Sequence, residues 1–302
     1  MKYVYEHGFD RYPYLFLGRY GGKYIFIIKG ISHSHLLLGA IKDRAHRNDL
    51  VFLVRQSWYH DDHLFKDSDD VIKSYGLNKS NFHYLHNTED EMARATMLGF
   101  NGIYCNANCF QDEKQYHMMD LTHRYKAVYI ARYDKCKRHE LVPDRADMAL
   151  VSIRWPDNIR DTFKNVFMNK HTFTAHEICR IINQSAYGLC LSAVEGQCRA
   201  AIEYLYCGIP IISTPSKGGR DVWYTPHNHI IVESKEDILD AVKAIRTFDG
   251  DRIREDAIEL AQVFRARFYE LLYSITGCRP DLGNRLYAFS KGSAADLLKN
   301  IN

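Results

Sequence analysis

Short apolar runs alternate with segments of helical spacing along most of the chain, and glycine or proline stands where one pattern gives way to the other. In the clearest example, an apolar run over 188–192 precedes helical spacing over 199–206, which Gly208 and Pro210 end. The β-branched run 209–214 is typical of a strand buried on both faces. This order predicts a βαβ unit with two neighbouring parallel strands.

The same alternation predicts strands and helices on both sides of a polar stretch over 111–124. The predicted strands are 23–29, 50–54, 81–86, 102–105, 126–131, 148–153, 188–192 and 209–214. The predicted helices are 36–45, 71–75, 88–98, 159–167, 174–182, 199–206, 236–245, 251–272 and 286–301. Residues 1–22 favour irregular or edge structure, and 55–70 favours a long polar loop. The pattern indicates an α/β protein with a domain boundary near residue 122.

Composition limits the classes of protein that fit. A chain of 302 residues is long enough for two small domains, and its net charge of +3 is too small to argue for a nucleic-acid partner. No apolar run is long enough to span a bilayer and the first residues lack a signal-peptide core, so a cytoplasmic location is expected. The eight cysteines form no metal-binding spacing and are expected to be reduced thiols.

Two glutamates frame the predicted helix over 199–206. Glu203 follows Glu195 by eight positions, which at roughly 100° per residue offsets them by about 80° around a helix, so both can face one cleft. The amides of Gly196, Gln197 and Cys198 would open the helix and offer a site for an anion. Two carboxylates flanking such a site suit a sugar, its diphosphate and a ribose.

This region resembles the Glu-x7-Glu motif of retaining GT-B glycosyltransferases, especially the family-4-like group. Five features occur in the family's order, namely Ser192, the pair Glu195–Gly196, Glu203, the turn 208–210 and the pair Gly218–Gly219. The resemblance is firm over residues 125–246, partial over 80–124 and thin before that.

The resemblance implies a GT-B fold, with two Rossmann-like domains that face each other across a cleft. The implied parts are an abbreviated N-terminal domain over 1–122, a nucleotide-sugar-binding domain over 123–275, and a terminal helix over 276–302 that crosses back to the first domain. The implied activity is transfer of a sugar from a nucleotide sugar, with a UDP-sugar expected, to an acceptor hydroxyl with retention of configuration. No cofactor and no metal are implied.

Family residues carry over to particular positions here. Glu203 would bind the ribose, Glu195 the hydroxyls of the transferred sugar, and the backbone at Gly218 and Gly219 would line the sugar or acceptor side. The family also has an arginine just after the first strand of this domain and a lysine about five residues later, both on the diphosphate. Arg132 and Lys137 have that spacing, and they suit phosphate as a planar fork and a flexible point charge.

The chain departs from the family pattern in two places beside these cations. Ala131 and the pair Arg138–His139 stand where the family usually has glycine. On the N-terminal side, Gly30, His33 and His35 follow the first predicted strand and occupy the place of the family's glycine loop. With His60 they are the candidates for the acceptor or donor side.

The polar loop over 55–70 permits a metal-site hypothesis. His60 and His63 flank Asp61 and Asp62, and the spacing Asp67-x-Asp69 matches a DxD motif that holds a divalent cation in GT-A transferases. That motif should follow a strand directly, whereas here it lies far into a loop. We therefore interpret these residues as solvated charge, with an acceptor-contacting role for the loop.

Other classes of protein fit the same residues. An epimerase or phosphorylase of this fold would use the same cleft, although no lysine motif for pyridoxal phosphate is evident. A non-catalytic protein that binds sugar nucleotides would keep the glutamates. A transferase acting on a hydroxymethylated DNA base would differ only in its acceptor, and its activity would fall steeply with salt. Glycan, small-molecule and DNA acceptors stay open at this point.

Overall fold

A computed structural model of the chain describes residues 14–31, 34, 38–39, 48–244 and 248–283. It separates two compact units, with Met1–Phe110 and Val263–Asn302 in unit 1 and Gln111–Gln262 in unit 2. The division after Phe110 precedes the boundary expected near residue 122. Unit 2 ends before the expected limit at 275, and the helix expected over 286–301 lies outside the described residues.

Unit 1 is built on a five-stranded sheet. Its elements are β1 (Tyr14–Tyr20), β2 (Lys23–Ile28), β3 (Leu50–Arg55), α1 (Asp62–Ser74), β4 (Phe82–His86), α2 (Glu89–Met97) and β5 (Asn101–Tyr104). The strand order is β1-β2-β3-β4-β5. β1 and β2 form an antiparallel hairpin across Gly21 and Gly22, whose positive φ values a two-residue turn requires. The other strands are parallel neighbours, which gives a Rossmann-like arrangement with one antiparallel edge.

Helix α1 corrects the prediction of a long loop over 55–70. The Asp61 side chain caps the helix by accepting a hydrogen bond of 3.0 Å from the amide of Leu64. Phe65 and Ile72 lie a helical spacing apart and are buried in the core of unit 1. The segment therefore becomes helical nine residues before the helix predicted at 71–75.

Unit 2 is built on a six-stranded sheet. Its elements are β6 (Tyr125–Ile130), β7 (Met148–Val151), α3 (Ile159–Thr162), β8 (Phe167–Met168), α4 (Ala175–Asn183), β9 (Ser185–Cys190), β10 (Val194–Glu195), α5 (Arg199–Tyr206), β11 (Ile211–Ser213), β12 (Lys217–Gly218), β13 (His229–Ile231) and α6 (Lys235–Lys243). The main sheet has the order β13-β11-β9-β6-β7-β8, and β10 pairs with β12 separately. All these pairs are parallel.

The central βαβ unit is confirmed, and helix α5 has the predicted bounds. The helix predicted from Thr174 is also confirmed, because Thr174 and Glu177 form a reciprocal capping box. The helix predicted over 159–167 is wrong beyond Thr162, since the chain there leaves the helix and forms β8.

The last helix of the described chain is α7 (Gly250–Thr276). Its residues up to Gln262 belong to unit 2 and those from Val263 onward to unit 1. In unit 1, the ring of Phe264 packs edge-on against Tyr104 and that of Phe268 against Phe110, each with 5.0 Å between ring centroids.

Candidate functional site

Two short parallel strands bring the glutamate loop of unit 2 against its glycine pair. β10 pairs with β12 so that Glu195 lies opposite Gly218. The amide of Gly219 donates a hydrogen bond of 3.0 Å to the carbonyl of Gly196. Both loops follow strands of the main sheet at their carboxyl ends, the edge at which α/β proteins bind ligands. The residues around positions 195 and 218 therefore form one site.

Glu195 is a buried carboxylate with two polar partners. Its Oε1 atom accepts a hydrogen bond of 2.6 Å from Ser192 Oγ and forms an ion pair with Lys137 Nζ. Lys137 ends a short 3₁₀ turn after β6. Burial alone would lower the pKa of Lys137, but the charges of Cys198 and Glu195 outweigh it and the pKa is raised. Lys137 is therefore a firmly held cation at this edge of the sheet.

Arg132 lies in the same loop but points to a different partner. Its guanidinium is 3.1 Å from the carboxylate of Asp134, and its side chain is 66% exposed. Asp134 also accepts a hydrogen bond from the amide of Cys136 and so caps the turn that carries Lys137. The structure thus joins Lys137 to Glu195 directly and leaves Arg132 at the surface beside them.

Arg138 stands where the family usually has glycine, and its backbone has a conformation that glycine favours. Its φ of 52° lies in the left-handed region, where glycine is preferred because it has no Cβ. Its guanidinium reaches to 3.5 Å from Thr214 Oγ1, just after β11. Arg138 therefore contacts the end of a strand that borders the site.

Glu203 is buried and pairs within its own helix. Its Oε1 atom is 2.9 Å from Arg199 Nε, one turn earlier. Burial raises the pKa of Glu203, although the charge of Arg199 and a hydrogen bond from Tyr116 act in the opposite direction. Glu203 is therefore a buried carboxylate bound within its own helix, and its ribose role stays a prediction. Arginine and glutamate four residues apart in a predicted helix are a signal that would have indicated this pair.

Gly196, Gln197 and Cys198 connect β10 to the start of α5. Cys198 is the N-cap residue and has a φ of 49°, so a non-glycine residue again occupies the left-handed region. Gln197 is buried, and Cys198 is half-buried. The predicted helix start is therefore present beside Glu195, with a thiol at its N-cap position.

Arg220 is the main site residue that the sequence did not reveal. It is fully buried and follows the glycine pair directly. Its guanidinium donates to the carbonyls of Cys190 at 3.1 Å, Ser192 at 2.8 Å, and Thr214. These carbonyls lie at or just after the ends of β9 and β11, so Arg220 connects the two strand ends. An arginine between two predicted strands is an ordinary surface pattern, and nothing in its spacing signals burial.

A buried histidine lies beside the cation loop. The His139 ring packs against Tyr129, Tyr133 and Trp155, with ring centroids 4.9 to 6.0 Å apart. Burial, reinforced by the charge of Lys137, lowers the pKa of His139 to about 4. The histidine is therefore a neutral aromatic side chain near pH 7.

The N-terminal candidates lie in unit 1 or outside the described residues. Gly30 follows β2 with a φ of 71°, and its carbonyl accepts a hydrogen bond of 2.6 Å from Ser34 Oγ. His33 and His35 lie outside the described residues. His60 is buried, and its amide donates a hydrogen bond of 3.0 Å to the Glu91 carboxylate.

The residues of the metal-site hypothesis lie around helix α1. Asp67 pairs with His63 at 3.2 Å, and Asp69 lies 2.6 Å from Lys73 and 3.3 Å from Lys79. Within the described residues, no group of three or more histidine, cysteine, aspartate or glutamate side chains could hold a metal ion. The described helices likewise include none that is long and apolar enough to cross a membrane.

Comparison by sequence finds no match, because no protein-family model and no curated protein matches the chain. Comparison of folds finds 198 similar chains, among them TarM, sucrose-phosphate synthase and AviGT4. TarM has a TM-score of 0.58 and 17% identity, over 82% of this chain and 54% of TarM. Sucrose-phosphate synthase from Thermosynechococcus elongatus has a TM-score of 0.58 and 16% identity, over 82% of this chain and 74% of the synthase chain. AviGT4, a glycosyltransferase of avilamycin A biosynthesis, has a TM-score of 0.53 and 13% identity, over 80% of this chain and 79% of the AviGT4 chain.

These similarities show the fold. The chain has the α/β fold of the GT-B glycosyltransferases, with a Rossmann-like arrangement in each unit, so the expected fold class is confirmed. The match spans about half of TarM.

Proposed function

We propose that the chain is a glycosyltransferase that moves a sugar from a UDP-sugar to an acceptor hydroxyl, with retention and without a metal. The observation that carries this proposal is the buried Lys137–Glu195 ion pair beside the Gly218–Gly219 loop. A cation, a carboxylate and a glycine loop meet there at the ligand-binding edge of a parallel sheet. The fold supports the same class of enzyme, and a TarM mutant has been crystallised with UDP.

The ion pair suggests how a donor is received. An incoming diphosphate replaces Glu195 as the counter-ion of Lys137, and Arg132 approaches from the surface because its side chain is exposed. Glu195, released from Lys137 but still bonded to Ser192, then accepts hydrogen bonds from the hydroxyls of the sugar. Negative charge grows on the departing diphosphate in the transition state, where fixed cations act most strongly.

Glu203 has the ribose role in this proposal. Its carboxylate is held by Arg199, whose side chain is 65% exposed. Arg199 can therefore swing into solvent and leave two acceptor oxygens for the ribose hydroxyls. In the retaining step, the acceptor attacks the sugar on the face that the diphosphate leaves, and the leaving phosphate takes the acceptor proton.

The proposal is tested by thermal unfolding with UDP-, GDP- and ADP-sugars. A specific donor raises the thermal midpoint because it binds only the folded chain, and a UDP-sugar is expected to raise it most. The same donor should then be consumed in the presence of a mixed set of hydroxyl acceptors. No shift with any nucleotide sugar would overturn the proposal.

Metal independence has its own test. Turnover should persist in EDTA, because Lys137, Arg132 and the start of α5 supply the charge that a divalent cation supplies elsewhere. Turnover is measured before and after chelation, with Mg²⁺ or Mn²⁺ added back as the control. Complete loss in EDTA with recovery on adding either ion would contradict this assignment.

A further inference from the structure

Three pairs of thiols lie close together among the described residues. The Sγ–Sγ distances are 4.0 Å for Cys105–Cys109, 3.8 Å for Cys179–Cys207 and 3.9 Å for Cys190–Cys198. All six are reduced thiols, and five of them are buried. Cys198 alone among the six is half-buried, so the third pair is the one with a partly accessible residue.

The third pair brackets the carboxylate of the proposed site. Cys190 is the last residue of β9, and Cys198 is the N-cap of α5. Ser192 and Glu195 lie between them, and Glu195 pairs with Lys137. A change in the pair therefore acts on the segment that holds Glu195.

The two thiols differ in the way that exchange chemistry requires. Contact with the Cys190 thiol and the nearby charges of Lys137 and Arg220 lower the pKa of Cys198, although burial and Glu195 oppose this. Burial raises the pKa of the Cys190 thiol well above its usual value. A half-exposed thiol that ionises readily attacks first, and a buried neighbour completes the exchange.

We propose that Cys190 and Cys198 form a reversible thiol–disulfide exchange site, which a small-molecule disulfide such as oxidised glutathione closes. The Cys198 thiolate attacks one sulfur, forms a mixed disulfide and expels one glutathione thiolate, which takes up the proton that Cys198 lost. The Cys190 thiolate then attacks Cys198 Sγ and expels the second glutathione. Two protein thiols are oxidised and one glutathione disulfide is reduced to two thiols.

Closing the site changes the loop beside Lys137. A disulfide needs an S–S length of about 2.05 Å, so two sulfurs now 3.9 Å apart must approach. The thiolate charge at Cys198 is lost. The two ends of the segment that carries Glu195, Cys190 and Cys198, are also drawn closer together. Resting on the proposed function, we expect the closed form to bind UDP roughly tenfold more weakly, the size of one charge-assisted hydrogen bond.

The thiol chemistry is tested without any activity assay. The reduced full-length chain is incubated with oxidised glutathione, blocked with N-ethylmaleimide in denaturant, and digested with trypsin without reduction. Peptide 181–199 contains both Cys190 and Cys198, so it should become unblocked and two hydrogens lighter, and dithiothreitol should reverse this. The matched controls are peptide 95–114 for Cys105 and Cys109, and peptides 171–180 and 200–217 for Cys179 and Cys207. These should stay blocked.

Single variants assign the order of attack. Cys190→Ser should hold a glutathione on Cys198, whereas Cys198→Ser should leave Cys190 unmodified. The proposal is overturned if peptide 181–199 stays fully blocked, or if the 179–207 crosslink forms first. Calorimetry with UDP on the reduced and the disulfide form separates the proposed function from its redox control. If the reduced chain fails to bind UDP, the proposed function is refuted. If both forms bind UDP equally, the effect of the disulfide on the nucleotide site is refuted.

Discussion

Lys137 and Arg132 differ in burial, and this difference predicts unequal effects on turnover. Lys137 is held inside the site by Glu195, whereas Arg132 is mostly exposed. Lys137→Ala should lower kcat roughly a hundredfold, as removal of an oxyanion donor does, and Arg132→Ala only about tenfold. Steady-state kinetics with the donor that stabilises the chain measures both.

Lys135→Ala is the matched control for these variants. Lys135 begins the same 3₁₀ turn but is exposed, so its removal should leave kcat unchanged. Equal losses from all three variants would mean a diffuse basic surface rather than a diphosphate site. Arg132→Lys should recover only part of the loss, because the planar fork is absent.

Glu203 and Arg199 should have opposite effects on nucleotide affinity. Glu203→Gln removes a charged acceptor for the ribose and should weaken UDP binding by about 1.5–3 kcal/mol. Arg199→Ala removes the competing partner of Glu203 and should keep or strengthen UDP binding. Calorimetry on the two variants decides, and weaker binding by both would assign the pair a structural role only. Because Glu203 is buried, both variants also need a measurement of thermal stability.

At the scale of elements, Arg220 holds the ends of β9 and β11. Arg220→Ala removes three hydrogen bonds from a buried guanidinium. The carbonyls of Cys190 and Thr214 keep other donors, but that of Ser192 loses its donor, which costs about 1–3 kcal/mol. The variant should therefore lose about 1–3 kcal/mol of unfolding free energy from this carbonyl alone, and Arg220→Lys should lose less. Arg252→Ala is the control, since Arg252 forms an exposed ion pair with Asp256 worth at most about 1 kcal/mol. Equal stability of Arg220→Ala and the control would contradict the role of Arg220.

The sequence predicted elements well where apolar runs had clear ends. Helix α5 was predicted at its observed bounds because Gly208 and Pro210 end its spacing. The first nine residues of helix α1 were missed because its fully buried apolar residues, Phe65 and Ile72, are two turns apart in a run of acidic and polar residues. Helix α3 was made too long because Phe163 and Val166 keep a helical spacing while the chain turns toward β8.

The candidate site was predictable in the residues that the family motif names. The motif named Lys137, Glu195 and the glycine pair, and the structure brings these together. The motif could not show the orientation of the Arg132 side chain or the burial of Arg220, because both depend on where distant strands end. The partner of Glu203 was within reach, since helical spacing alone places Arg199 beside it.

At the scale of the whole molecule, buried histidines make stability depend on pH. His139 in unit 2 has a pKa lowered by burial and by Lys137 to about 4, against an ordinary value of 6.5. Between these two pKa values, His139 is protonated in the unfolded chain but neutral in the folded chain. The free energy of unfolding therefore falls as the pH drops from about 6.5 to about 4. The loss should reach about 3 kcal/mol, at 1.36 kcal/mol per unit.

Thermal midpoints at several pH values measure this dependence, with His139→Phe as the comparison. The variant keeps an aromatic ring against Tyr129 and Trp155 and removes the titrating group, so its midpoint should fall less over the same range. His86 in unit 1, whose pKa burial lowers to about 3, should leave a residual dependence in the variant. Identical pH profiles for both proteins would contradict the assignment to His139.

Helix α7 has a consequence for the order in which a ribosome releases the two units. Unit 2 is one continuous segment and is complete once Gln262 has emerged, whereas unit 1 begins the chain and still needs the half of α7 that starts at Val263. At about 5–20 residues per second, the wait between Phe110 and Thr276 lasts roughly ten to thirty seconds. During it, Tyr104 and Phe110 have no Phe264 and Phe268 to cover them, so unit 1, whose first segment is made before unit 2, is finished after it.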